Sequence, residues 1–223
     1  MTPDILYCGD PHGDFAPINR AARESTPRAL VLLGDYDLKR PLDDMLVDAI
    51  RHTDVWWIPG NHDFERVEHF DNLFGSALAN RNLHGRVVDI GGCRVAGLGG
   101  TFQGKVWHPR QHGASPRYGS RDEYLATCGK GNRWRDGLPL GRRGAIWPED
   151  YAALMDMRAD VLVTHEAPST HRHGFEEIDR LAEAMGAGLI VHGHHHVDYS
   201  VTLSSGVRVI GVGLAGVSCG RGS

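Results

Sequence analysis

Asp10-Pro11-His12 arrives just as the first apolar run of the chain ends, placing a carboxylate and an imidazole two residues apart. In an extended segment those two side chains project to the same side. They make half of a mixed nitrogen and oxygen site for a divalent cation. Taken alone, Asp-x-His reads more simply as a turn that hydrogen-bonds its own backbone. The pattern recurs, however. Val31-Leu32-Leu33 ends in Gly34-Asp35, and Trp56-Trp57-Ile58 ends in Pro59-Gly60-Asn61-His62-Asp63. Val161-Leu162-Val163-Thr164 ends in His165, and Leu189-Ile190-Val191 ends in His192-Gly193-His194-His195-His196. Five apolar strands deliver Asp, Asn or His at their carboxyl ends, where an open α/β sheet places its ligand site.

The elements that must position these residues follow from periodicity. Strands are expected at 5–7, 29–33, 55–58, 159–163 and 189–191, with hairpins from 86–90 with 93–98 and from 197–203 with 207–212. Helices are expected at 17–25, 41–52, 64–74, 148–157 and 176–185; in 41–52, Leu42, Met45, Leu46, Ala49 and Ile50 recur at three- and four-residue spacing. The order βαβαβ, hairpin, αβαβ, hairpin predicts mixed strands covered by helices, a layered α/β sandwich. No internal repeat or linker is visible. The expectation is one domain over 1–223, carrying an irregular basic insertion at about 101–147 that is too long for an ordinary connection.

Composition narrows the class. A chain of 223 residues suits one α/β domain and can bury roughly 70% of its unfolded surface. Its formal charge of −4 argues against a general nucleic-acid binder. Fourteen histidines are many, and several stand at strand ends where packing has no need of them. Cys8, Cys93, Cys128 and Cys219 form no C-x-x-C pair, which argues against a cysteine zinc site and reads as isolated thiols in a reducing compartment. No basic-then-apolar leader is seen, and no apolar run approaches the roughly 20 residues of a membrane helix. A cytoplasmic protein with no membrane partner is expected.

Taken together in order, Asp10-Pro11-His12, Gly34-Asp35, Gly60-Asn61-His62-Asp63, His165 and Gly193-His194-His195-His196 resemble the calcineurin-like metallophosphoesterase superfamily. The resemblance spans nearly the whole chain apart from the insertion. It implies a four-layer α/β/β/α sandwich of two mixed sheets flanked by helices, with two metal ions at the strand ends. One ion would be held by Asp10, His12, Asp35 and His196, the other by Asp35, Asn61, His165 and His194. Asp35 suits the bridging position because a carboxylate offers two oxygens and a charge, whereas Asn61 offers one neutral oxygen. Mixed ligands of this kind suit Mn²⁺ first, with Fe and Zn²⁺ as alternatives. The implied reaction is hydrolysis of a phosphomonoester or phosphodiester by direct attack of a metal-bridging hydroxide, water being acidified towards pKa ~7 at such a site. His62 is the implied acid for the leaving oxygen. Many relatives orient that histidine with an acid three residues after the Gly-Asp aspartate. Here Leu38 stands at that position, so either Asp37, one residue earlier, or Asp63 serves instead, or His62 is less well oriented.

Substrate choice would fall to the insertion. Between 103 and 144 it holds nine Lys and Arg against three acids, a net +6 that leaves −10 for the remainder, with Trp107, Tyr118, Tyr124 and Trp134 interleaved. Arginine can grip phosphate bidentately, so Arg121 and Arg133 join Asn61 and His62 as expected substrate contacts. A solvated basic flap, or one that pairs with the acidic body, is the equal alternative. The partner would be a phosphorylated small molecule, a nucleotide or a phosphoprotein, or nucleic acid gripped by the insertion. Competing readings are a nuclease or a serine/threonine-type protein phosphatase using the same centre, and a non-enzymatic binding module on the same fold.

Overall fold

The apolar runs pair into two sheets in the computed structural model, which describes residues 5–113 and 115–220. In the first sheet β1 (Ile5–Cys8), β2 (Ala29–Leu32) and β3 (Asp54–Trp57) are parallel in sequence order, with β10 (Val217–Ser218) antiparallel on the outer side of β1. The second sheet runs β4 (Arg86–Ile90), β5 (Cys93–Leu98), β6 (Val161–Thr164), β7 (Leu189–His192), β9 (Arg208–Gly211), β8 (Tyr199–Thr202); its edge strands β4 and β8 are antiparallel and the inner four are parallel. Strands buried on both faces read as unbroken apolar runs, and here alternate residues feed alternate layers. Ile5, Tyr7, Val31 and Leu33 meet Val95, Val163, Val191 and Ile210 between the sheets. Leu30, Leu32 and Trp57 face the other way, onto Ile18 and Ala22 of α1 (Ala16–Ser25) and onto Leu42, Leu46 and Leu73. On the far side Leu162, Ile190 and Val209 face Ile178, Leu181 and Met185 of α8 (Glu176–Met185) and Leu154 of α7 (Pro148–Met155). The result is helices, sheet, sheet, helices, the four-layer sandwich expected. Among the described residues no helix is long and apolar enough to cross a membrane.

Three local readings change. The expected helix at 41–52 is instead α2 (Leu42–Met45) and a 3-10 turn at Ala49–Arg51. Asn19 of α1 causes the break. Its Nδ2 donates to the Met45 carbonyl at 2.9 Å, and its Oδ1 accepts the Ala49 N–H at 3.0 Å, so the side chain intercepts both ends of one helical hydrogen bond. The expected helix at 64–74 begins later, as α3 (Val67–Phe74), after a 3-10 turn at His62–Phe64. The stretch expected to be irregular carries α4 (Pro109–His112), α5 (Arg121–Thr127), α6 (Leu140–Arg143) and a 3-10 turn at Lys130–Asn132. Ser120 caps α5, accepting the Glu123 N–H.

Asn19→Ala strips two backbone groups of their partner. Chemical denaturation should show a loss of about 1–3 kcal/mol. An unchanged midpoint would mean that the helix closes on itself at no cost.

Candidate metal centre

All seven expected ligands stand on loops leaving the carboxyl ends of β1, β2, β3, β6 and β7. They converge because β1 and β2 lie beside one another in one sheet, β6 and β7 in the other, and the two sheets face each other across one core. The expected extended geometry at the loops does not hold. His12, Asp35, Asp37, His194 and His196 have φ of 41, 54, 50, 70 and 55°, in the left-handed region. Each costs on the order of 1–3 kcal/mol at a non-glycine residue, and such strain gathers at functional sites. Asp10 and His12, and likewise His194 and His196, are brought together by sharp turns, not by strand alternation. Glycine makes room for the carboxylates. A Cβ on Gly60 would lie 2.2 Å from Asp35 Oδ1, and one on Gly193 would lie 2.5 Å from Asp10 Oδ1.

Asp10 and Asp35 are 0% and 2% exposed. Asp10 Oδ2 accepts the His194 N–H at 2.6 Å, whereas Oδ1 is buried with no hydrogen-bond partner among the described residues. Burial pushes the Asp10 carboxyl up to about 6, opposed by His165 and reinforced by the Asp35 charge. Asp35 Oδ1 accepts the His62 N–H at 2.9 Å. Its Oδ2 is 3.4 Å from His165 Nε2 and 3.9 Å from His12 Nε2. Burial would raise the Asp35 carboxyl, but His165 and the His62 N–H hold it below the usual carboxylate range. His165 is fully buried, which disfavours its charged form, yet Asp35 and then Asp10 push it up to about 10. Burial takes His194 the other way, down to about 3, with the His165 charge adding to the shift.

Hydrogen bonds on the far side of two rings aim their second nitrogens inward. His12 Nδ1 donates to Asp37 Oδ2 at 2.8 Å and His165 Nδ1 donates to the Leu33 carbonyl at 2.7 Å. Each bond fixes a tautomer and leaves Nε2 pointing into the centre. There His12 Nε2 faces His196 Nε2 at 3.1 Å, and His165 Nε2 faces Asn61 Oδ1 at 3.2 Å. His196 Nε2 is 3.6 Å from Asp10 Oδ2. Ligand bonds of about 2.0–2.2 Å, at angles from square to tetrahedral, put neighbouring donors about 2.8–3.6 Å apart. Converging lone pairs at that spacing, together with an orphaned buried carboxylate oxygen, fit divalent cations.

Of the acids expected to orient His62, Asp37 is the one that lies beside its ring. Its Oδ1 is 3.4 Å from His62 Nδ1 and 3.7 Å from His69 Nδ1. Asp63 is buried and directed elsewhere, its carboxylate accepting the backbone N–H groups of Asp35, Tyr36 and Gly60. Leu38 is fully buried among Leu42, Leu46 and Leu73. The His62 ring stands edge-on to His12, centroids 4.8 Å apart, and is 37% exposed, open to an incoming group.

The expected substrate arginines do not meet at this centre. Arg121 is tied by its terminal nitrogens to Glu149 and Asp150, both at 2.6 Å. Arg133 donates to the Leu125 carbonyl at 2.7 Å, within the insertion. Both guanidiniums brace the protein's own chain, which corrects the reading of Arg121 as a phosphate grip. Two neighbours went unread in the sequence. His69 donates to the His62 carbonyl at 3.2 Å. Glu166 is buried beside His194 and His195, accepts the Phe102 N–H, and is pushed up to about 7 by burial. Only its place directly after His165 could have drawn notice. His195 stacks on His171 with centroids 3.9 Å apart. His192 is buried as strand filler, donating from Nδ1 to the Gly193 carbonyl and accepting from the Tyr199 hydroxyl at 2.7 Å.

With that geometry established, comparison with known proteins is informative. Residues 3–198 match the calcineurin-like phosphoesterase family model, and the chain belongs to that family. It is therefore a metal-dependent phosphoesterase in the general sense, a hydrolase. An uncharacterized protein of Haemophilus influenzae is 39% identical over 219 residues, covering 98% of this chain and 95% of that protein. Among solved structures, TT1561 of Thermus thermophilus superposes with a TM-score of 0.61 at 18% identity, over 96% of this chain and 91% of that one. A dimetal phosphatase of Danio rerio superposes at 0.52 and 13% identity, over 96% and 88%. These likenesses show the shared fold.

Asp37→Ala frees the His12 ring without removing a ligand. Titration with Mn²⁺, followed by calorimetry, should show affinity weakened about 10–100-fold, as loss of such supporting carboxylates does.

Proposed function

We propose that the chain hydrolyses the phosphoester of a small molecule with two divalent cations. Asp10, His12, Asp35 and His196 would hold one, and Asp35, Asn61, His165 and His194 the other. The observation that carries this reading is the position of Asp35 Oδ2, a single carboxylate oxygen between His165 Nε2 at 3.4 Å and His12 Nε2 at 3.9 Å. Bound there, divalent cations would supply Lewis acidity towards the phosphoryl oxygens and acidify water at neutral pH. Mn²⁺ is the ion to test first, with Fe and Zn²⁺ also suited to the donor set.

The chain's own residues divide the remaining work. Asn61 presents an amide beside the centre, able to hold a phosphoryl oxygen through its N–H groups while Oδ1 faces the ligands. His62, exposed and backed by Asp37, delivers a proton to the leaving oxygen. Asp37, on the Nδ1 side, keeps the ring turned. A small phosphoester is favoured over a polyanion by the state of the insertion. Arg110 donates to the Arg172 and Gly174 carbonyls, Arg121 and Arg135 pair with acids, and Arg142 bonds Gln103. Cations committed internally make a scaffold in place of a phosphate track.

Asp35→Asn is expected to abolish Mn²⁺-dependent hydrolysis of p-nitrophenyl phosphate and bis-p-nitrophenyl phosphate. His62→Ala should lower kcat by about 10²–10⁴-fold with metal content intact. Undiminished turnover in Asp35→Asn would sink the two-cation reading.

A further inference from the structure

Arg143, at the end of α6, differs from the braced arginines around it. Its Nε is buried with no hydrogen-bond partner among the described residues. Burial and the nearby charge of Arg135 both depress its pKa, and no acid acts on it in return. Glu149 and Asp150 are taken by Arg121. The guanidinium lies over the rings of Phe70, at 5.6 Å, and Trp134, at 5.0 Å. A ring face attracts the charge but leaves the N–H donors unanswered.

Arg143 lines a cavity of ≈ 410 Å³, with Phe64, Phe70, Phe74, Leu125 and Leu138 among its walls and the carboxylate of Asp122 exposed at its side. That volume, in a wall mainly of aromatic, aliphatic and glycine residues with Asn82, His84, Arg121, Asp122 and Arg143 as its polar members, suits a small organic ligand. The cavity also adjoins the metal centre. Pro59 and Phe64, both lining it, bracket the Gly60-Asn61-His62-Asp63 loop. Gly99 and Gly100, also in its wall, follow β5, which pairs with the strand that delivers His165.

We propose that this cavity binds a small aromatic anion, its ring against the Phe70, Phe74 and Leu138 side chains and its acid group on the Arg143 guanidinium. Arginine offers a carboxylate or sulfonate two parallel N–H groups. The phenylalanines supply apolar area and ring contacts. In the hydrolase reading, on which this second part rests, the occupant is the leaving-group end of the substrate, a phosphorylated aromatic compound carrying a second acid.

Binding is tested without turnover, by calorimetric titration of the chelated protein with 1-naphthalenesulfonate and with neutral 1-naphthol. One sulfonate should bind per chain, about tenfold or more tightly than the naphthol, a margin expected for hydrogen bonds to a charged group. Arg143→Met keeps an apolar stem over the rings and should erase that margin. Leu138→Trp fills the cavity and should abolish binding of both. Arg20→Ala, an exposed change on α1, should leave both unaltered. A folded Arg143→Met or Leu138→Trp protein that binds the sulfonate as wild type does would overturn the site, as would wild type that binds none. The leaving-group role is then read from KM for 4-carboxyphenyl phosphate against phenyl phosphate, with the carboxylate favoured in wild type and not in Arg143→Met. Sulfonate binding with equal KM values overturns that role alone. Sulfonate binding with no hydrolysis of either ester faults the hydrolase reading and leaves the cavity standing.

Discussion

Two carboxylates, Asp10 and Asp35, are buried within reach of one imidazole, His165, between two apolar sheets. Removing charge from water in this way costs several kcal/mol per ion unless partners answer it. His165 answers part of the charge, and backbone N–H groups of His62 and His194 answer more. Asp10 Oδ1 is left without a hydrogen-bond partner among the described residues. The strained turns, the glycines packed against carboxylate oxygens and the inward-facing imidazoles all follow from holding this cluster together. Left to itself such a cluster opposes folding, and a cation converts the same groups into ligands. The core beneath it therefore has to be sound, and the apolar layers on both faces of both sheets make it so.

Asp37 shows how a shifted acid keeps its place. The residue three beyond Asp35 is Leu38, taken by the core between the first sheet and its helices. Asp37 adopts φ of 50°, which turns it back over the loop towards His12, His62 and His69. One carboxylate thus reaches both a candidate ligand and the candidate acid. Its neighbour Asp63 is a backbone clamp, taking three N–H groups from two loops. It holds the turn after β2 against the turn after β3, where Asp35 and Asn61 meet.

The insertion has the composition of a nucleic-acid arm and the structure of a brace. Its charge reads as +6 along the chain. In space Arg121 and Arg135 are matched by Glu149, Asp150 and Asp71, acids outside it, so part of that charge is neutralised across the contact. Arg143, with its Nε buried, is not matched in this way among the described residues.

Much of the fold and of the candidate site was legible because it depends on residue type and order alone. A strand buried on two faces must be apolar throughout, so β1, β2, β6 and β7 announced themselves. A ligand must be Asp, Asn or His wherever it falls. Features that depend on distant partners were not legible. Asn19 breaks the helix at 41–52 from another element. Val217–Ser218 is a strand only because β1 offers an open edge. Residue order was enough to say which donors exist and which strands carry them. It took the packed chain to set which nitrogen of each ring turns inward, which acid lies beside His62 and which arginines pair with acids. Those are properties of distances between chain segments, and no local pattern encodes them.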